Sequence, residues 1–392
     1  MAATIVAIAT TTAAVALVAH SHGGATRRHL AAAEAKRPAA RAPTTTLPPT
    51  TAAPTTTLPS TTRALKLVST LTGDISPKSV VASGSGYVFA QNMMYKHTIT
   101  VYDGNGALVK TIPDAVRLAD FGVADRTATY QGAPVEAAFT ADHRFAYVSN
   151  YSMYGPGFGH QGDDTCSPAS GIDSSYVYRV NIATLAIDQV VAVGSVPKFV
   201  AVTPDGRFVL VSNWCSYDES IIDTASGKEV TRIALGAYPR GIAVDPQSKT
   251  AYVAVMGSHD VAAIDLASFA VNWIRNVGAA PRHVVIDPSG ANLYVTLNAE
   301  GQVAKVDLAA GAVVAKAPTG SEPRSMTIAP DGQSLYVVNY NSNTVSKLAA
   351  ADLHVLQTES TPSHPIGITF EPTQSRVWVA CYSGSILVYD DA

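Results

Sequence analysis

The feature that most constrains this chain is a proline that returns at a fixed interval. Pro197, Pro239, Pro281, Pro323 and Pro365 follow one another at 42-residue steps, and the residues between them repeat one plan. From Pro197 the chain runs apolar through Phe199, Val200, Ala201 and Val202, turns at Pro204-Asp205-Gly206, and runs apolar again from Phe208 to Val211. A third run follows at Ser220-Ile221-Ile222-Asp223, and a fourth from Val230 to Leu235 is closed by Gly236. β-Branched residues extend a strand, whereas Pro and Asp-Gly stop one. Each unit therefore predicts four short antiparallel strands joined by tight turns.

Two earlier prolines, Pro77 and Pro134, open two further units, so the count is seven. Their intervals are 57 and 63 residues, which requires an insertion in each. The first falls around Asp114 to Gln131 and the second between Asn150 and Ser174. A period of about 40–45 residues with four strands per unit is the pattern of a β-propeller blade. The expectation is an all-β, seven-bladed β-propeller with four-stranded blades over residues 64–392. An open ring would leave strand edges unpaired, and the last unit holds only three strands, at Ile366 to Phe370, Arg376 to Ala380 and Ser385 to Tyr389. Residues 65 to 72 match the fourth strands that end at Gly194, Gly236, Gly278 and Gly320. They are expected to close the last blade as its N-terminal strand.

The segments Pro239-Arg-Gly-Ile-Ala-Val-Asp-Pro246, Pro330-Asp-Gly-Gln-Ser-Leu-Tyr-Val-Val-Asn339 and Tyr294-Val-Thr-Leu-Asn298 resemble the YVTN family of bacterial β-propeller repeats. The resemblance runs from about Leu65 to the C-terminus. It implies the seven-bladed fold and says little about activity, because propellers host many functions. Some members are thought to bind DNA, and related-looking propellers include lactonases and lyases with acids, Asn or His in the channel.

Residues 2–19 carry no charge and are long enough for a signal peptide or a thin membrane span, so residues 1–22 are read as a leader or anchor. Basic residues follow this run (Arg27, Arg28, Lys36, Arg37) and none precedes it. The positive-inside rule alone would then put the rest of the chain in the cytoplasm; a start further upstream, with its own basic residues, reconciles the two. Residues 23–63 are basic and then rich in Thr and Pro, a composition that cannot bury a core and reads as a disordered linker. Leader and stalk together point to a propeller that is secreted or held at the cell surface, touching membrane only through its N-terminal segment. Cys166, in the second insertion, and Cys215, after the second strand of the next blade, lie on one face of adjacent blades. They are expected to form a disulfide in an oxidising compartment, and Cys381 to be free and buried.

A net charge of −3 gives no general reason to expect nucleic acid. The local charges are more informative. The residue after each repeat proline enters the innermost strand, and those residues are Lys78, Val135, Lys198, Arg240, Arg282, Arg324 and Ile366. Sevenfold geometry would gather the five basic ones at one mouth of the channel, where converging cations favour an anion. The plainer alternative is that each bonds a neighbouring carbonyl or an aspartate such as Asp245 or Asp287. Seventeen residues after the prolines stand Tyr151, Trp214, Met256, Asn298, Tyr340 and Tyr382; aromatics beside cations suit sugars or bases, and equally suit blade packing.

No nucleophile elbow, zinc-protease helix or phosphate loop is present in the sequence. His160 with Asp163 and Asp164, His259 with Asp260, and His283 beside Arg282 are the nearest approaches to metal-binding groups, without diagnostic spacing. The reading is thus a non-catalytic, monomeric binding propeller without a cofactor. Its ligand face carries Lys78, Lys198, Arg240, Arg282, Arg324, Tyr151, Trp214, Tyr340, Tyr382 and His283. Its partner is an anionic ligand, a glycan or surface polymer, or a protein, with nucleic acid less favoured. The alternative is a lactonase- or lyase-like enzyme with a divalent metal in the channel.

Overall fold

The computed structural model describes residues 58–391. The expected leader and most of the Thr/Pro segment lie outside the described residues.

Within one blade, alternate side chains of a strand point to opposite sides of the sheet. In the second strand of blade three, Phe208–Asn213, Val209 and Val211 pack toward blade two, while Phe208 and Leu210 pack toward blade four. Because both faces are covered, the strand is apolar without interruption, which is how these strands read in the sequence. The same arrangement between successive blades yields seven four-stranded antiparallel sheets. Their innermost strands are Ser79–Ala82, Pro134–Phe139, Pro197–Val202, Pro239–Val244, Pro281–Ile286, Pro323–Ile328 and Pro365–Glu371, each next to the one that follows, and the last beside the first. These strands crowd closely around the channel. A Cβ on Gly241 would lie 2.6 Å from the Cα of His283 in the next blade, and one on Gly367 would lie 2.7 Å from the Cα of Ser79.

The last blade is completed as the sequence predicts. Lys66–Leu71 pairs antiparallel with Ser385–Asp390, outside Arg376–Cys381 and Pro365–Glu371. The closure extends further toward the N-terminus than the closing strand. The Ser60 hydroxyl donates to Asp331 Oδ1 at 2.7 Å and lies 2.9 Å from the Ser334 hydroxyl, from which it can accept, so the final residues of the Thr/Pro segment dock on blade six. Arg63 meets Asp391 at 3.2 Å, and the fully buried Asp391 also pairs with the fully buried Lys347 and accepts from Tyr336 at 2.7 Å. A buried ion pair repays its desolvation only when its remaining bonds are satisfied. Here the Lys347 ammonium also donates to the Arg63 carbonyl at 2.8 Å, which ties Arg63 and Asp391 together on blade six.

The first insertion forms a short ladder, Val116–Arg117 with Thr129–Tyr130, around a 3₁₀ turn at Leu118–Phe121. The second is pinned to blade three by the Cys166–Cys215 disulfide, with Cα atoms 5.3 Å apart. That bond points to an oxidising, extracytoplasmic setting. Cys381 is free and fully buried. Among the described residues no helix is long and apolar enough to cross a membrane.

Candidate functional site

The site begins with the repeat proline. The residue before it is left-handed in five units: Val196 (φ 56), Tyr238 (φ 64), Ala280 (φ 52), Glu322 (φ 53) and His364 (φ 60). Such a conformation is unfavourable for residues with a Cβ and persists only where surrounding bonds hold it. Here the carbonyl of each of these residues accepts the backbone N–H of the residue seventeen positions after the proline. Trp214 N–H reaches Val196 at 2.9 Å, Met256 reaches Tyr238 at 2.9 Å, Asn298 reaches Ala280 at 3.0 Å, Tyr340 reaches Glu322 at 3.0 Å and Tyr382 reaches His364 at 3.0 Å. This one bond places the basic position and the aromatic position of each unit side by side on the same face.

The five basic residues do converge. Lys78, Lys198, Arg240, Arg282 and Arg324 line a funnel of about 620 Å³ at the channel mouth, with Tyr151, Trp214 and Tyr382 among its walls. The other two positions of the ring, Val135 and Ile366, are buried. Lys78, Lys198, Arg240 and Arg282 are only 5% to 8% exposed, so the charges sit at the base of the funnel and not on its rim. Asp245 and Asp287 take no part. Each caps the turn at the far end of its inner strand, Asp245 accepting from the backbone of Gln247 and Lys249, and Asp287 from Ala291.

Two carboxylates reach the ring. Asp164, from the second insertion, pairs with Lys198, and Glu322 pairs with Arg324 at 3.0 Å. The aromatics supply π faces: Trp214 lies 3.7 Å from the Lys198 ammonium, Tyr340 lies 3.4 Å from the Arg324 guanidinium, and Tyr382 lies 5.3 Å from Lys78. Arg282 has the Met256 sulfur at 3.5 Å. Among the described residues Arg240 has no hydrogen-bond or ion-pair partner for its side chain; the carboxyls of Glu136 and Asp164 favour its charge from further off. Tyr340 stacks on His364 with ring centroids 4.4 Å apart and lies behind Arg324, outside the funnel wall.

So many cations in a dry place repel one another. Burial, and then Arg240, push the Lys198 ammonium down to about 7. Burial, followed by Arg240 and Arg282, lowers Lys78 well below the usual lysine range. Burial and the neighbouring arginines act on Arg240 and Arg282 in the same direction.

One residue further along the strands lies a second, less charged layer around an inner cavity of about 300 Å³, contributed by Ser79, Glu136, Phe199, His283 and Ser325. Burial raises the Glu136 carboxyl to about 7, against the opposing pull of a bond from Ser79 and of Arg240 and Lys78. Burial, then Arg240 and Arg282, push His283 down to about 3, which leaves its imidazole neutral. His283 therefore belongs to this inner layer and not to the cation ring.

The metal candidates do not assemble. Asp164 is turned to Lys198, Asp163 accepts from the Thr165 backbone at 2.8 Å, and Asp260 pairs with Arg275 at 2.7 Å. Among the described residues no three His, Cys, Asp or Glu side chains come together as a metal site would require. Sequence reasoning noticed Asp164 only as a metal candidate and did not see Glu322 as a ring partner. The signal for Glu322 was present, since it stands immediately before a repeat proline and two residues from Arg324.

Residues 226–384 match a family model described as a YNCE-like β-propeller. No curated protein matches the chain. Among solved structures, hydrazine synthase of Kuenenia stuttgartiensis is similar with a TM-score of 0.63 and 19% identity, over 81% of this chain and 96% of that one. At that identity the likeness is one of fold alone. With its seven closed sheets and its YNCE-like match, the chain is a seven-bladed β-propeller repeat protein.

Proposed function

We propose that this propeller is a non-catalytic binding protein that takes an anionic ligand into its basic mouth, outside the cytoplasm. The observation that carries the reading is the charge of the ring: five cations, four of them buried, meet two carboxylates, and Arg240 and Arg282 at the base of the funnel have no carboxylate bonded to them among the described residues. Buried charge without a counter-ion is unfavourable, and an anion bound between Lys198, Arg240 and Arg282 would relieve it with charge-assisted hydrogen bonds. Sugars suit the aromatic wall at Tyr151, Trp214 and Tyr382, so an anionic glycan fits the same site.

The Cys166–Cys215 disulfide supports the extracytoplasmic part of the reading, and residues 1–22 complete it as a leader or anchor. The described chain starts on the face opposite the mouth, because Ser60 bonds Asp331 in the turn at the far end of the strand that begins beside Arg324. A protein tethered through that end would present its mouth away from the tether.

The test replaces Arg240, Arg282 and Arg324 together by Gln and titrates inorganic pyrophosphate at low salt. At about 1.5 kcal/mol for each charge-assisted contact, the triple variant should bind at least about a hundredfold more weakly. Its melting temperature should not fall, since mutual repulsion is removed. Unchanged affinity would place the anion site elsewhere.

A further inference from the structure

Resting on the anion-site reading above, the geometry points to a particular ligand class: a compact molecule with an anionic head and a hydroxylated body, such as a sugar or polyol phosphate or a sugar acid, and not a polymer. The head sits on the cation ring, and the body extends into the inner layer of Ser79, Glu136, His283 and Ser325.

Depth gives the first argument. Four of the five cations are no more than 8% exposed. A chain lying across the rim cannot reach them, whereas a compact group that enters the funnel can. The channel also narrows below the ring. Phe199 and His283 belong to blades three and five, yet their rings meet edge to face with centroids 5.1 Å apart. They can meet because the blade between them carries Gly241 at the same level, with no side chain to intervene. This pair fills one side of the channel, and the space left at this level lies toward Ser79, Glu136 and Ser325.

The chemistry beneath the ring gives the second argument. Glu136 lines the inner cavity, and Ser79 and Ser325 line it too, with the Ser325 hydroxyl donating to the Ile366 carbonyl at 2.8 Å and so leaving its lone pairs for a donor. A carboxyl at this depth opposes a second anionic group and accepts hydrogen bonds from hydroxyls. Ligand hydroxyls match this layer, and a second phosphate does not. The mouth cavity of about 620 Å³ alone accommodates a six-carbon body with its anionic group, within the usual size of a small-molecule site.

The test titrates the full chain calorimetrically at pH 7 and low salt with two ligands of similar charge, inorganic phosphate and glucose 6-phosphate, and repeats this with Glu136→Gln. Glucose 6-phosphate should bind at least about tenfold tighter than phosphate and displace it. Glu136→Gln should shrink that ratio to about threefold or less. If both ligands bind with equal affinity, the hydroxylated body is wrong and the anion site stands. If neither binds, the anion site itself fails, and the ligand class with it. A sulfated polysaccharide that binds tighter and is not displaced by glucose 6-phosphate would overturn the compact class. The comparison of ligands on the unaltered chain decides the matter even if Glu136→Gln does not fold.

Discussion

Lys198 shows how one position of a repeat is turned into part of a site. Its unit places it after Pro197, its neighbour Trp214 is brought beside it by the bond to Val196, and Asp164 comes to it from the insertion of another blade. Burial and Arg240 lower its folded pKa to about 7 from 10.5. The folded protein thus binds fewer protons than the unfolded chain between those values, and this group makes stability rise with pH across that window. Glu136 acts in the other window. Its folded value of about 7 lies above 4.5, so the stability it contributes is full below pH 4.5 and is lost as pH climbs through 7. Both effects bear on the ligand in one direction, because an anion favours a charged Lys198 and a protonated Glu136. The affinity for sulfate, whose own charge is constant, should fall by about tenfold from pH 5.5 to pH 8.5, as read by calorimetric titration. A flat profile would show that neither group borders the anion. The five cations could be read from the sequence because the period fixes where they stand. Asp164 could not be read as their partner, because an insertion has no period and its path depends on the disulfide and on Trp214, whose indole N–H donates to the Asp164 carbonyl at 3.3 Å.

Among the elements, the closing strand was the most legible. Residues 65 to 72 carry the alternation and the terminal Gly73 of a fourth strand, and the last unit lacks one. What the sequence left hidden was the contact that precedes it. Ser60 and Arg63 lie in a run whose composition reads as linker, yet each finds a carboxylate: Ser60 meets Asp331, and Arg63 meets the buried Asp391. The ladder inside the first insertion escaped notice for a similar reason, since its strands are two residues long and carry no alternation. A chain begun at residue 58 should melt within about 2 °C of the full-length protein. A chain begun at Gly73 should melt at least about 10 °C lower or fail to fold, having lost a blade's outer strand and the Arg63 pair. Equal melting of the two in a thermal scan would mean that the N-terminal strand does not hold the ring closed.

At the scale of the whole molecule, sevenfold repetition makes a weak local preference into a strong field. A single Lys or Arg after a proline would be an ordinary surface charge. Five of them share one funnel, four turned inward by the same left-handed residue and proline, and the buried ones are depressed by burial and by the neighbouring charges. Two departures from symmetry then give the site direction: Val135 and Ile366 leave an apolar gap on the Lys78 side, and Asp164 and Glu322 neutralise Lys198 and Arg324, so the unpaired charge is centred on Arg240 and Arg282. The most direct measurement is a crystal of the protein grown without phosphate or sulfate and soaked in selenate, with the selenium located by its anomalous scattering. The peak should lie at the base of the mouth, within hydrogen-bond reach of Arg240 and Arg282. A ring with no selenium while selenate is bound at another face would contradict the assignment of this mouth as the anion site.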